Sequence, residues 1–252
     1  MSNVSVIIPY KDNIKYLFLT LRSILNQTYK NFSIVIIYDD ENRQDLTKIR
    51  KFIYQKDIKT KIKIIINRKN IGAGKSRNIG IKYSKSRYLA FIDSDDLWTK
   101  NKLELQIKFM IKKKLSISHT SFFLINEKGK KISSRIAKQN LFYSDLVNSC
   151  DIGLSTVMVK TEFLKKNNLK FSSLSTKEDY VLWLRLIKKV KIIRGFNKKL
   201  TYYRKRQNSL SSNLIISFVN GFKVYRNYLK FGVLESLFRL MILAIYSVKK
   251  NF

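Results

Sequence analysis

A single cysteine, Cys150, rules out any intrachain disulfide, and the single histidine, His119, leaves zinc sites of the Cys/His type and histidine-based triads excluded or badly impoverished. Chemistry in this chain must therefore run on carboxylates, hydroxyls and cations. Acidic residues are also scarce: 17 Asp and Glu stand against 51 Lys and Arg, a net charge of +34. A field of that size favours polyanions such as nucleic acid, an anionic membrane surface or phosphate-bearing substrates, although lysines also simply solvate a surface. Long apolar runs are missing too. The longest uncharged stretch near the end, 240–248, is far short of the ~20 residues a spanning helix needs. The N-terminus shows no charged region followed by an apolar core, so no secretory signal is visible and a cytoplasmic chain is expected. There is no internal repeat, low-complexity tract or clear interdomain linker.

The 252 residues, 45% hydrophobic and 13% aromatic, suit one large α/β domain with an appendage. Val4-Ser5-Val6-Ile7-Ile8-Pro9 is an apolar run closed by the only proline and reads as a first strand. Asp12-Asn13 starts a helix on which Ile14, Leu17, Phe18, Leu21, Ile24 and Leu25 form one stripe. Strands over 34–38 and 62–66 follow, separated by a helix over about 45–57. This alternation predicts βαβ units on a parallel sheet.

The fourth strand leads into Asp93-Ser94-Asp95-Asp96, three carboxylates within four residues where the strand runs out. Like charges this close repel and raise one another's pKa, whereas a hard divalent cation takes several carboxylate oxygens. In an open α/β sheet the carboxyl end of a strand is also where ligands bind. The plainer alternative is an acidic turn capping the next helix, with Asp96 or Thr99 as N-cap. Upstream, Gly74-Lys75-Ser76 invites a phosphate-loop reading, but that motif needs glycine five residues earlier, where Lys69 stands. A glycine-punctuated helix start carrying Lys75 and Arg77 can still face a diphosphate.

Beyond Trp98 a basic amphipathic helix is expected over 102–114, two strands over 116–132 around the turn Asn126-Glu127-Lys128-Gly129, and a strand over 155–159. A helix over 177–187 opens with Glu178-Asp179, which the helix dipole alone would explain. From Leu214 onward, basic residues interleave with Phe, Leu and Tyr. Such helices cover the core or lie on a membrane surface.

Taken in order, these pieces resemble a family 2 glycosyltransferase of the GT-A fold over about residues 3–212. The matching segments are 4–9, Ser23-Ile24-Leu25-Asn26-Gln27-Thr28-Tyr29, Ile37-Tyr38-Asp39-Asp40, Asn70-Ile71-Gly72 with Arg77-Asn78-Ile79-Gly80, and Asp93-Ser94-Asp95-Asp96-Leu97-Trp98. Glu178-Asp179-Tyr180 with Leu182-Trp183-Leu184-Arg185, and Tyr203-Arg204 through Ser209-Leu210-Ser211, complete the set.

The resemblance implies an α/β fold, a GT-A type single domain with a Rossmann-like, mostly parallel sheet and a C-terminal helical tail. Residues 1–212 would form the transferase domain, with about 1–100 binding nucleotide sugar and about 101–212 facing acceptor, and 213–252 the basic amphipathic tail. It implies transfer of a sugar from a nucleoside diphosphate donor, expected to be UDP-linked, to an acceptor hydroxyl with inversion, in bacterial surface polysaccharide or glycolipid synthesis. Donor contacts would come from Pro9, Tyr10, Lys11, Asp39, Asp40, Asn70, Arg77, Asp93, Asp95, Arg204 and Arg206. Asp95 and Asp96 would hold Mn²⁺ or Mg²⁺, Asp179 would be the general base, and Glu178 and Trp183 would stand on the acceptor side. The expected partners are a nucleotide-sugar donor, a glycan or lipid-linked glycan acceptor and, peripherally, the anionic inner face of the cell membrane; nucleic acid is not expected. One departure stands out: Arg206 occupies a position where family members often carry histidine, and arginine pairs with phosphate but ligates no metal. The alternatives are a basic nucleic-acid-binding protein or an inactive scaffold of the same fold.

Overall fold

The computed structural model describes residues 2–58, 61–207 and 213–249. The N-terminal half alternates as expected: β1 Val4–Tyr10, α1 Ile14–Leu25, β2 Phe32–Tyr38, α2 Gln44–Gln55, β3 Ile62–Ile66, α3 Ala73–Tyr83 and β4 Tyr88–Phe91. The second half is more irregular. It comprises β5 Leu97–Trp98, α4 Lys102–Lys112, β6 Ile117–Ile125, β7 Lys131–Arg135, β8 Asn140–Phe142, α5 Tyr143–Asn148, β9 Met158–Lys160, α6 Thr161–Lys166, α7 Glu178–Val190 and β10 Ile192–Arg204. Two helices close the chain, α8 Leu214–Lys223 and α9 Val233–Lys249, joined through a π-helical turn at Val224–Tyr228.

One sheet runs through the molecule in the order β3-β2-β1-β4-β9-β6-β10-β5, with β7 on β6 and β8 on β10. β3, β2, β1, β4, β6 and β10 run the same way, while β9 and β5 run against them. Alternation along the buried strands feeds two cores. Ile7, Val35, Ile37, Leu89 and Phe91 face one side with α7 residues such as Leu182 and Leu186. Val6, Ile8, Ile34, Ile36 and Ala90 face the other, against Leu17 and Leu21 of α1 and Leu103 of α4. Helices thus cover both faces, as a parallel sheet requires.

Three expectations need correction. Residues 154–156 form a 3₁₀ turn, so the strand expected over 155–159 begins only at Met158. Neither Asp96 nor Thr99 caps α4; a two-residue strand intervenes and Asn101 stands at the cap position. The long strand β10 was not expected at all. The Ser209-Leu210-Ser211 segment lies outside the described residues.

Candidate functional site

The carboxyl ends of β1, β2, β4 and β10 supply the candidate residues. At the end of β2, Asp39 is buried and its carboxylate is fully engaged. Oδ1 accepts from Asn67 Nδ2 (2.7 Å) and Ile71 N–H (2.9 Å), and Oδ2 from Gly72 N–H (2.8 Å). It fastens the 67–72 loop to the strand. Asn70 joins this frame by donating from Nδ2 to the Asp39 carbonyl at 3.0 Å. Asp40 is only half-buried and accepts from the backbone N–H groups of Asp12 and Asn42. Of the β1 residues, Pro9 and Tyr10 are buried, and the Tyr10 hydroxyl donates to Asp45 at 2.6 Å. Their side chains are therefore structural, while Lys11 just beyond is exposed.

At the end of β4 the pattern repeats. Asp96 is 1% exposed; Oδ1 accepts the Arg204 N–H at 2.7 Å, and Oδ2 is buried without a hydrogen-bond partner. Burial, then the neighbouring Asp95 and Asp93 charges, push its carboxyl well above the ordinary range. Asp95 stays half-buried, its Oδ2 only 3.5 Å from Arg206 Nη1. Burial and Asp93 raise it to about 6 against the partial relief from Arg206. Asp96 thus faces inward, and of the expected metal pair only Asp95 presents an accessible carboxylate.

Arg204 is also a frame residue. Nε donates to the Asp95 carbonyl (2.8 Å), and Nη1 donates to the carbonyls of Asn126 (3.1 Å) and Glu127 (2.9 Å) in the β6–β7 turn. Arg206 is less committed. Among the described residues its other contact is the Tyr16 ring, 5.6 Å from the centroid, a ring it shares with Arg204.

The third acidic pair opens α7. Glu178 is buried and pairs with Arg77 Nη1 at 2.6 Å, while Arg77 Nη2 pairs with Asp93 at 2.6 Å. Burial lowers the Arg77 pKa, but the two carboxylates more than offset it, and the net shift is upward. Arg77 is thus a buried brace between the loop after β4 and the start of α7, and is not free to face a diphosphate. The packing around it needs Gly74, where a Cβ would meet the Ser172 carbonyl oxygen at 2.7 Å and Glu178 Cγ at 2.9 Å. That close approach, and no phosphate loop, explains the glycine. Asp179 remains half-buried, with Oδ1 accepting the Tyr180 N–H at 2.7 Å. Burial and the Glu178 charge push it to about 7, against the pull of Arg77. Trp183 is fully buried with its ring edge-on to Phe171, so it belongs to the core and not to the acceptor side.

The β4 and α7 pairs share one locality. Asp93 raises Asp95, Asp96 and Asp179 alike. Tyr203, raised by burial, also feels Asp96, Asp93, Asp95 and Asp179. Half-buried Tyr203 and the ring of Tyr16 are site residues that the sequence reading passed over. Tyr203 was seen only as a neighbour of Arg204, and Tyr16 lies on a helix whose stripe drew attention to its apolar members.

Among the described residues no group of three Asp, Glu, His or Cys could hold a metal by protein ligands alone. That still fits Mg²⁺ or Mn²⁺, since Mg²⁺ is usually bound by one or two carboxylates together with substrate phosphates. Asp95, crowded by like charges and held only loosely by Arg206, is a carboxylate of that kind.

Comparison with known proteins places the chain among related sequences and folds. The family described as Glycosyl transferase family 2 matches residues 5–170. WfgD of Escherichia coli, a UDP-Glc:alpha-D-GlcNAc-diphosphoundecaprenol beta-1,3-glucosyltransferase, is 30% identical over 251 residues, covering 98% of this chain and 94% of its own length. TuaG of Bacillus subtilis (strain 168), a putative teichuronic acid biosynthesis glycosyltransferase, is 32% identical over 249 residues, 98% of this chain and 97% of its own. The chain spans 29% of the length of an uncharacterized glycosyltransferase of Rickettsia bellii (strain RML369-C). S. aureus TarS 1-349, crystallised with UDP-GlcNAc, superposes with a TM-score of 0.72 at 21% identity, over 98% of this chain and 71% of that one. The GT-A fold expected from the sequence is the fold observed.

Proposed function

The chain belongs to glycosyl transferase family 2, and from that premise we propose that it moves a sugar from a UDP-linked donor to a hydroxyl of a glycan or lipid-linked glycan acceptor, with inversion. A role in bacterial surface polysaccharide or glycolipid synthesis follows from the same relatives. The observation that carries the proposal is the Arg77 brace. It ties the loop bearing Asp95 to the helix bearing Asp179, so two half-buried carboxylates with raised pKa flank one site.

In this reading Asp40 and Lys11 stand at the nucleotide end and Arg206 meets the diphosphate. Asp95 would hold the Mn²⁺ or Mg²⁺, which as a Lewis acid stabilises charge on the leaving nucleoside diphosphate. The acceptor oxygen attacks the anomeric carbon as the bond to the diphosphate oxygen breaks, and Asp179 takes the hydroxyl proton. A base poised near neutrality suits that role, being more basic than an ordinary carboxylate yet still part-ionised. Attack opposite the leaving group requires base and diphosphate on opposite sides of the sugar, and in this reading Asp179 takes one side and Asp95 with Arg206 the other. Peripheral contact with an anionic membrane belongs to the same proposal.

The test is calorimetric titration with a panel of nucleotide sugars in Mn²⁺, followed by single-turnover transfer to glycan acceptors. Binding of a UDP-sugar with transfer supports the reading; no binding of any nucleotide sugar overturns it.

A further inference from the structure

The helix α9 is apolar on two sides. Its inner side is seated: Leu240 and Leu243 are buried, and Leu240 packs so closely that a Cβ on Gly221 would lie 2.6 Å from its Cδ1. Its outer side carries Leu234 (83% exposed), Leu237, Phe238 (55%), Met241 (59%) and Ile245, all exposed. Positions 234, 238, 241 and 245 follow helical spacing along one face for about 17 Å. α8 presents Leu214, Ile215 and Phe218 in the same exposed state. Contiguous apolar surface of this kind marks an interaction site.

We infer that the outward face of α9, with that of α8, seats the protein on an anionic phospholipid surface; this rests on the lipid-linked acceptor reading above. Charge selects the occupant. In sequence the segment after 212 carries Lys223, Arg226, Lys230, Arg239, Lys249 and Lys250 against the single acid Glu235. Lys223, Arg226 and Lys230 are exposed. A second copy would bring another +34 against this one, whereas anionic headgroups complement it. Among the described residues no helix is long and apolar enough to cross a membrane, so the helix lies in the interface.

The seat connects to the catalytic end. Asn220 of α8 donates to Ser175 and Thr176 at 3.0 Å each, and Lys177 Nζ donates to Ser217 at 3.1 Å. These contacts hold the segment that leads directly into Glu178 and Asp179. A surface under α8 and α9 therefore fixes the acceptor-side helix relative to the membrane from which a lipid-linked glycan would project.

Flotation of the whole chain with vesicles of phosphatidylcholine, alone or mixed with phosphatidylglycerol, tests the seat. The parent should float with the mixed vesicles, less so at high salt. Leu234→Glu combined with Phe238→Glu should weaken flotation at least about tenfold, since each buried side chain of this size contributes strongly to insertion. Lys223→Ser with Lys230→Ser, which leaves the apolar stripe intact, should lose the preference for anionic vesicles. Parent that does not float, a Glu variant that floats like the parent, equal flotation on neutral vesicles, or a parent dimer that the Glu variant dissociates would each overturn the seat. Titration with UDP is run on the same samples. Absent nucleotide binding with intact flotation would sink the transferase reading and leave the seat standing.

Discussion

The loops that end β2 and β4 each place two adjacent aspartates at the rim of the sheet, and they treat them differently. In both, one member turns inward and the other stays half-buried at the surface. Asp39 meets three N–H donors and becomes a satisfied staple. Asp96 meets one donor on Oδ1, keeps Oδ2 buried without a partner, and has its pKa driven well up. The β2 loop is thus electrostatically finished, whereas the β4 loop holds negative charge that the protein alone leaves under-compensated. A site waiting for a cationic ligand should look like the second loop. The start of α7 repeats the division, with Glu178 tied to Arg77 and Asp179 facing out.

The widest separation is expected at α7. Asp179→Asn should cut single-turnover transfer ~10²–10⁴-fold at saturating donor, with nucleotide affinity retained. Glu178→Gln, its inward neighbour, should instead lower folding stability by about 1–3 kcal/mol in chemical denaturation, because it takes one of two countercharges from a buried guanidinium. Near-normal transfer by Asp179→Asn would make that residue a mere helix-start carboxylate.

At β4, Asp95→Asn should reduce turnover ~10²-fold or more while the melting temperature hardly moves. Asp96→Asn should leave Arg204 its acceptor and cost less than about 1 kcal/mol, because the amide is nearly isosteric with the carboxyl and removes a buried acid crowded by Asp95 and Asp93. Equal losses of turnover in both would show that the inward and outward roles are wrongly divided.

At β2 the effect moves from activity to stability. Asp39→Ala should cost about 3 kcal/mol by stranding buried donors, and Asp40→Ala should cost under about 0.5 kcal/mol but weaken nucleotide binding. Urea melts and UDP titrations of the two variants separate these outcomes.

A pH slope accompanies these effects. Asp95 and Asp179 have folded-state pKa values of about 6 and about 7, above the ordinary carboxylate value. Between about pH 4 and 7 the folded protein therefore binds protons that the unfolded chain has released, and these two groups make stability fall as pH rises. Transfer, which needs Asp179 ionised, should rise over the upper part of that range. Calorimetric melts of Asp95→Asn and Asp179→Asn against pH should show a flatter decline than the parent.

The elements with one clear period were legible in the sequence. The apolar runs of β1, β2 and β3 and the stripe of α1 have no competing reading. β10 was missed because Ile-Ile-Arg-Gly-Phe-Asn-Lys-Lys-Leu-Thr-Tyr-Tyr-Arg does not alternate, and its register shifts between Phe196 and Lys199 and again before Thr201 explain why. Residues 154–156 deceive in the other direction, since Ser155-Thr156 lead without a break into Val157-Met158-Val159 and hide the 3₁₀ turn that precedes the strand. The acidic pairs themselves were visible. Which member turns inward was not, because the deciding donors are remote: Gly72 for Asp39, Arg204 for Asp96, Arg77 for Glu178. Arg77, Arg204 and Tyr10 were expected to touch donor for the same reason, since sequence shows a charge or a hydroxyl but not the partner that occupies it.

The two ion pairs of Arg77 also impose an order of events during synthesis. Asp93 lies 16 residues beyond Arg77 and Glu178 lies 101 beyond it. Chains leave the ribosome N-terminus first, so the β1–β4 half can collapse around Arg77 with only Asp93 in place. Its second partner arrives when α7 has emerged and docked. Until then Arg77 lies open on the side that Phe171 and α7 later cover, so its burial and its second countercharge arrive together. That last pair joins the loop after β4 to the start of α7.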